Sequence, residues 1–323
     1  MAQKDFGGCI FCSEKGSGDH LLSIPIKEQI YNALHSIKIQ RANSFILYFQ
    51  NYSNTYKSIE ELKKIYDKAI NEFSLQSKEI VNTSLAPISQ PKLVGIQIAT
   101  RPDLITQDIA KLLSSYNDKL YVAVELGLQT VNDDSNFLNT FYTADDFKNA
   151  VNILNQYNID IVAHIIVGLP KRTTEIIKID SGGKVNSNDF KIFEDNVKEI
   201  TTTKREEHED IIKTVDFINL QNIQGIKIHS CYILKNTFLE KLYNDGLYTP
   251  ISLEEYIDEL TYILTHISPN VVIHRISGDA PKDLLVAPSW NLHKKLVLNR
   301  IYKLFSKENL SQGMYFNTNK GDQ

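Results

Sequence analysis

Short apolar runs alternate along the chain with longer stretches in which apolar residues recur every three or four positions. The runs are Phe45–Phe49, Lys92–Ala99, Leu120–Gly127, Ile159–Val167 and Ile226–His229. Their length and β-branched content predict strands. The stretches between them predict helices over Lys27–Ile39, Ser58–Phe73, Ile105–Tyr116, Thr143–Tyr157 and Asp210–Gln221. In Ser58–Phe73, the side chains of Ile59, Leu62, Ile65, Tyr66, Ile70 and Phe73 share one helical face. Thr143 and Asp146 have the spacing of a capping box. A further helix, Leu253–Ile267, precedes a strand at Val271–Ile276. Strands that are apolar throughout, joined by helices, predict a parallel sheet covered on both faces, an α/β fold.

Polar residues gather where the predicted strands end: Gln50, Thr100, Arg101, Glu125, Gln129, His164, Lys227 and His229. In parallel α/β folds and barrels these carboxyl ends form the site. His274 and Arg275 lie on the last strand. Residues 171–209 break the rhythm and predict a mobile, irregular insertion. From Ser311 the chain predicts a disordered tail.

The 323 residues are ample for a large core, and 42% apolar with 23% charged is ordinary for a globular protein. The net charge of −4 argues against a protein-wide basic surface but leaves room for a local basic groove. Lys63-Lys64, Lys171-Arg172, Lys204-Arg205 and Lys294-Lys295 read as solvated faces. No apolar h-region follows Met1 and no run reaches transmembrane length, so a cytoplasmic protein away from membranes is expected. The cysteines are Cys9, Cys12 and Cys231, which is no disulfide framework. Cys9 and Cys12 stand at CxxC spacing in the glycine-rich stretch Gly7–Gly18. Such a pair can be half a zinc site, a redox pair or one corner of a cluster site.

The segments GGCIFCSEKGSG (7–18), YFQNYSNTY (48–56), TRPD (100–103), VELGLQT (124–130), HIIVGLP (164–170), GIKIH (225–229) and the stretch from His274 to Trp290 resemble, in order, those of the radical S-adenosylmethionine (SAM) superfamily. Within it they are most similar to the bacterial YhcC/YtqA-like group, related to the catalytic subunit of Elongator. The resemblance implies a partial (β/α)6 TIM-like barrel over 1–235 interrupted at 171–209, a C-terminal α/β extension over 236–310 and a tail over 311–323. It implies a [4Fe-4S] cluster held by three thiolates, with SAM on the open iron.

By the same resemblance Cys9 and Cys12 are cluster ligands, and Phe11 packs near the SAM adenine. Glu125 faces the SAM ribose or amino acid moiety, or else pairs with Arg101. Arg101 holds the SAM carboxylate, or else braces a loop while Asp103 caps the next helix. Gln50, Gln129 and His164 complete the cofactor side; Lys227, His229, His274 and Arg275 stand on the substrate side. Cys231 reads as a small core residue. Family members carry one more cysteine and a first strand upstream of the pair. Here eight residues precede Cys9 and none is cysteine. The chain as written therefore reads as starting late, or as an inactive remnant without a full ligand set. The implied activity is a 5′-deoxyadenosyl radical used in tRNA wobble-uridine modification, with a small-molecule or protein substrate as the alternative. Ferredoxin or flavodoxin is the implied electron donor, and DNA is not an expected partner.

Overall fold

Helix α1 (Ile26–Leu34) leads into strand β1 (Ser44–Phe49), helix α2 (Ile59–Ile80) and strand β2 (Lys92–Thr100). Helix α3 (Gln107–Ser114), strand β3 (Tyr121–Gln129), a single turn α4 (Ser135–Leu138), helix α5 (Ala144–Gln156) and strand β4 (Asp160–Val167) follow. The computed structural model describes residues 8–13, 16, 24–36, 42–80, 90–132, 135–178 and 197–316. The end of the first predicted helix, the tip of the 171–209 segment and the last residues of the tail lie outside them.

The start of the helix predicted at Thr143 carries the expected chemistry. Thr143 accepts from the backbone N–H of Asp146 while Asp146 accepts from that of Thr143, closing the capping box of α5. Helix α3 is capped differently from the expectation. Its N-cap is Thr106, which accepts from the N–H of Ile109, because Asp103 lies earlier, in a 3-10 turn over Pro102–Leu104.

Residues 171–209 are more regular than their composition predicts. Strand β5 (Pro170–Lys178) pairs antiparallel with strand β6 (Val197–Arg205), from Pro170 opposite Arg205 to Lys178 opposite Val197. The Thr, Ile and Val within this polar stretch are β-branched and suit a ladder, which the surrounding charge conceals. Helix α6 (His208–Asn219), strand β7 (Gly225–Ser230), the two-residue β8 (Ile233–Leu234), and helices α7 (Phe238–Asn244) and α8 (Leu253–His266) come next. Strands β9 (Val272–Arg275) and β10 (Leu285–Ala287) and helix α9 (Lys294–Glu308) complete the chain.

Six strands form one curled sheet in the order β1-β2-β3-β4-β7-β9, all parallel. This is a partial TIM-like barrel. Its sixth strand comes from residues 236–310, expected as a C-terminal α/β extension. The reason is that α8 buries Tyr256, Ile257, Leu260 and Ile263 in the same core as the sheet, so that β7-α8-β9 repeats the strand-helix-strand unit before it. Part of the expected tail is also ordered. The side chain of Gln312 donates to the carbonyls of Ser268 (3.0 Å) and Val271 (2.7 Å), and Tyr315 N–H donates to Thr265 O at 2.8 Å.

A second apolar cluster fixes the cysteine loop. Ile10 and Phe11 bury against Leu138, Leu169, Leu239, Leu242 and Tyr248. The Ile10 N–H donates to Leu138 O, and the Ile10 carbonyl accepts from Leu239 N–H. The loop is thus strapped between α4 and α7, at the carboxyl ends of the strands.

Candidate functional site

Side chains alternate across a strand, so only every second residue of each strand end can face the concave side. That selects Tyr48, Gln50, Glu125, Gly127, Gln129, His164, Lys227, His229 and Arg275, and all of them line one cavity of about 540 Å³. Cys9, Phe11, Cys12 and Arg101 line it too. His274 does not line it. Its ring fills the space left by Gly225, where a Cβ would stand 2.4 Å from His274 Nε2, so it lies on the same face of β7 as Lys227 but deeper in the barrel, at an irregularity in the β7–β9 register.

Glu125 forms the floor. Its Oε2 accepts from Tyr48 OH at 2.6 Å, from Gln97 Nε2 at 3.3 Å and, in a close ion pair, from Lys227 Nζ. Lys227 Nζ also lies 4.4 Å from the centroid of the Tyr48 ring. Burial works against a charge on Glu125, but His164, Lys227 and the donated hydrogen bonds outweigh it and hold the carboxyl below its ordinary value. The alternative pairing of Glu125 with Arg101 is not made. Arg101 instead forms a fork with Asp103, Nε to Oδ1 at 2.9 Å and Nη2 to Oδ2 at 2.5 Å. The Glu125–Lys227 contact crosses the barrel where their strands face each other, whereas Asp103 is two residues from Arg101.

His164 and His229 form an edge-to-face pair with ring centroids 4.4 Å apart. Burial depresses His164 to about 4, with the charges of Lys227 and Arg275 adding and that of Glu125 opposing. Burial and the same cations push His229 well below its ordinary value. Both rings are therefore neutral at pH 7, and the Nε2 of each is sealed without a hydrogen-bond partner.

At the opposite wall, Cys12 N–H donates to Cys9 O at 3.0 Å, closing a tight turn that brings the thiols together. The hydrogen bond from Cys12 holds the Cys9 thiol below its ordinary value, aided by the Arg101 charge and opposed by burial. Cys231 also borders the cavity, but burial pushes its thiol up to about 12, the behaviour of a core residue.

Sequence reasoning missed several cavity residues. These are Tyr52, Asn139 and Phe141, which, like the expected site residue Gln129, have left-handed backbone, with φ of 57°, 58° and 61° beside 64° for Gln129. The other left-handed non-glycine residues described, Asn158, Asn236 and Asn309, are asparagines, which tolerate that region. A Tyr, a Phe and a Gln there are outliers, and such strain clusters at functional sites. Tyr52 and Phe141 are 66% and 57% exposed at the rim. No residue-type rule flags them, because their φ is imposed by tertiary contacts. For Tyr52 these include Asn54, whose side chain bonds the carbonyls of Phe49 and Ala99, and Thr55, whose hydroxyl meets that of Thr100 at 2.6 Å.

The donor set fits an iron–sulfur cluster at two corners. Cys9 and Cys12 face one cavity, but among the described residues no group of three His, Cys, Asp or Glu side chains is placed to hold a metal, and a cluster with one open iron takes three thiolates. The cavity also suits a polar ligand rich in donors. Gln129 Oε1 and Asn139 Oδ1 are buried acceptors without a partner.

Residues 6–179 match the family model described as the radical SAM superfamily, and residues 223–307 match that of the Radical_SAM C-terminal domain. The chain is 28% identical over 316 residues to YtqA of Bacillus subtilis, covering 96% of this chain and 81% of YtqA. It is 23% identical over 243 residues to a tRNA uridine(34) acetyltransferase of Methanocaldococcus jannaschii, covering 75% of this chain and 37% of that protein. Among solved structures it resembles the archaeal Methanocaldococcus infernus Elp3 with an N-terminal deletion. The TM-score is 0.58 at 18% identity, over 88% of this chain and 58% of that one.

Proposed function

Because the chain belongs to the radical SAM superfamily, a family of enzymes, we propose that its cavity binds SAM beside an iron–sulfur cluster and acts on tRNA. The observation that carries this reading is the convergence of the Cys9–Cys12 turn and the polar strand ends on one cavity. When bound, the cluster and SAM supply a 5′-deoxyadenosyl radical that takes hydrogen from the substrate.

In this reading Cys9 and Cys12 hold two corners of the cluster, and Phe11 carries their turn into the core. Glu125 is held ionised by Lys227 and Tyr48. Its Oε2 is engaged, which leaves Oε1 to accept from a ligand hydroxyl or ammonium. Gln129 Oε1 and Asn139 Oδ1 accept the remaining donors, with Gln50 beside them. Lys227 and Tyr48 seal the floor against water, while His164 and His229 stay neutral and do not repel a sulfonium. Arg275 faces the substrate side. Ferredoxin or flavodoxin serves as the electron donor.

Three observations support tRNA. One relative is named a tRNA uridine(34) acetyltransferase. Arg275 brings a guanidinium to the lining on the substrate side, which suits a phosphate-bearing substrate. The exposed rings of Tyr52 and Phe141 at the rim suit stacking of an unpaired base. The test is anaerobic reconstitution with iron and sulfide, followed by a 5′-deoxyadenosine assay and a nucleoside profile of bulk tRNA from a deletion strain. The expected outcome is SAM cleavage that falls at least tenfold in Cys9→Ser, and one modified nucleoside lost on deletion. An unchanged nucleoside profile would remove tRNA as the substrate. Cleavage insensitive to Cys9→Ser would remove the cluster assignment.

A further inference from the structure

The ribbon β5–β6 plays no part in the site so far. It leaves directly from the carboxyl end of β4 and returns into α6, so its root stands at the same end of the sheet as the cavity. The root is tied down. Lys171 Nζ donates to Asp210 Oδ2 at 2.5 Å, and Arg205 Nη2 donates to Glu255 Oε1 at 2.5 Å. The Arg172 guanidinium lies 5.2 Å from the centroid of Phe137, a ring that packs on the cluster holding the cysteine loop. Beyond the root each strand continues to complete a nine-residue ladder, about 30 Å at the usual rise per residue.

The charge of the ribbon opposes that of the chain. Its strands carry Lys171, Arg172, Lys178, Lys198, Lys204 and Arg205 against Glu175 and Glu199, in a protein of net charge −4. The register sets Lys171 directly opposite Lys204, joining two short basic runs that are 33 positions apart in the sequence. Like charges directly opposed weaken a ribbon, and a two-stranded ribbon is marginal by itself. Asp210 offsets Lys171 at the root, and Arg172 and Lys204 are exposed. The exposed guanidinium of Arg172 and ammonium of Lys204, at the root of an extended ribbon with a basic sequence, are the groups that contacts to a phosphate backbone use.

We propose that the ribbon β5–β6 is an arm that grips the phosphates of an RNA stem while an unpaired base of the same RNA enters the cavity. This rests on the tRNA reading above. The arm is tested with the full chain and deacylated bulk tRNA, by fluorescence anisotropy across a salt series, with S-adenosylhomocysteine binding as a separate readout. The Arg172→Gln/Lys198→Gln/Lys204→Gln variant should bind more weakly at every salt concentration. Its slope of log Kd against log salt should be shallower by about 2–3, with S-adenosylhomocysteine affinity unchanged. Lys178→Gln/Lys198→Gln, which leaves the root intact, should lower the slope by about 1–2. Wild-type binding with unaltered affinity and slope in both variants overturns the arm and leaves the tRNA reading standing. Failure of the wild type to bind tRNA overturns both.

Discussion

At the scale of single residues, the site is governed by which charges are buried and what they meet. His164 shows the consequence for stability. Its folded value, about 4, lies below the ordinary value of about 6.5, so between these pH values the unfolded chain binds the proton and the folded chain does not. Stability is therefore fully present above about pH 6.5 and falls as the pH drops toward 4, by about 3 kcal/mol from this one ring. Glu125 has the same sign over a lower window, because its carboxylate is favoured in the fold and is lost only as the pH passes below the ordinary carboxylate range. Urea denaturation at pH 7, 5.5 and 4.5 should show the loss, and His164→Gln should lessen it, the remainder coming from His229, which is shifted in the same direction. An equally steep profile in the variant would place the titrating group elsewhere. The Glu125–Lys227 contact was not visible in the sequence. Glu125 was recognisable as a charge ending an apolar strand, but the side chain expected as its partner was Arg101, 24 positions away, whereas Lys227 is 102 positions away. Arg101 found Asp103 because the neighbouring carboxylate costs little chain entropy to reach.

At the scale of elements, local chemistry was readable wherever it was complete within one turn. The α5 capping box is the clearest case, since Thr143 and Asp146 need only each other. Thr143→Ala should cost about 1 kcal/mol, read from the denaturation midpoint, with the fold otherwise unchanged. The ribbon β5–β6 was not readable for the opposite reason. Each of its strands is polar and charged, and neither carries the alternating apolar pattern that signals a half-buried strand. What makes them strands is their mutual pairing, and that pairing turns two ordinary basic runs into one basic surface.

At the scale of the whole molecule, the sheet takes its sixth strand from beyond residue 235. Strand β9 pairs with β7 and brings Arg275 to the cavity, while His274 packs beneath it in the space left by Gly225. Residues near the carboxyl end stabilise this outer strand. Gln312 binds the carbonyl of Val271, the residue before β9, and that of Ser268. Gln312→Ala should destabilise the protein by about 1–3 kcal/mol and speed amide exchange in β9 more than in β3. Equal exchange in both strands would mean that the segment after α9 does not support the sheet.

The sequence by itself determined the strand–helix alternation, the parallel sheet, the concentration of polar groups at strand ends and the CxxC turn. These follow from periodicity and from spacings of a few residues, which local sterics and burial dictate. Only the tertiary structure decided which charges pair, that Arg275 lines the cavity while His274 packs beneath it, where the backbone is strained into the left-handed region, and that the 171–209 segment frames a ribbon. Each of these depends on contacts between residues far apart in the chain. Their energies are set by burial and register, and neither quantity exists until the sheet has closed around the cysteine loop.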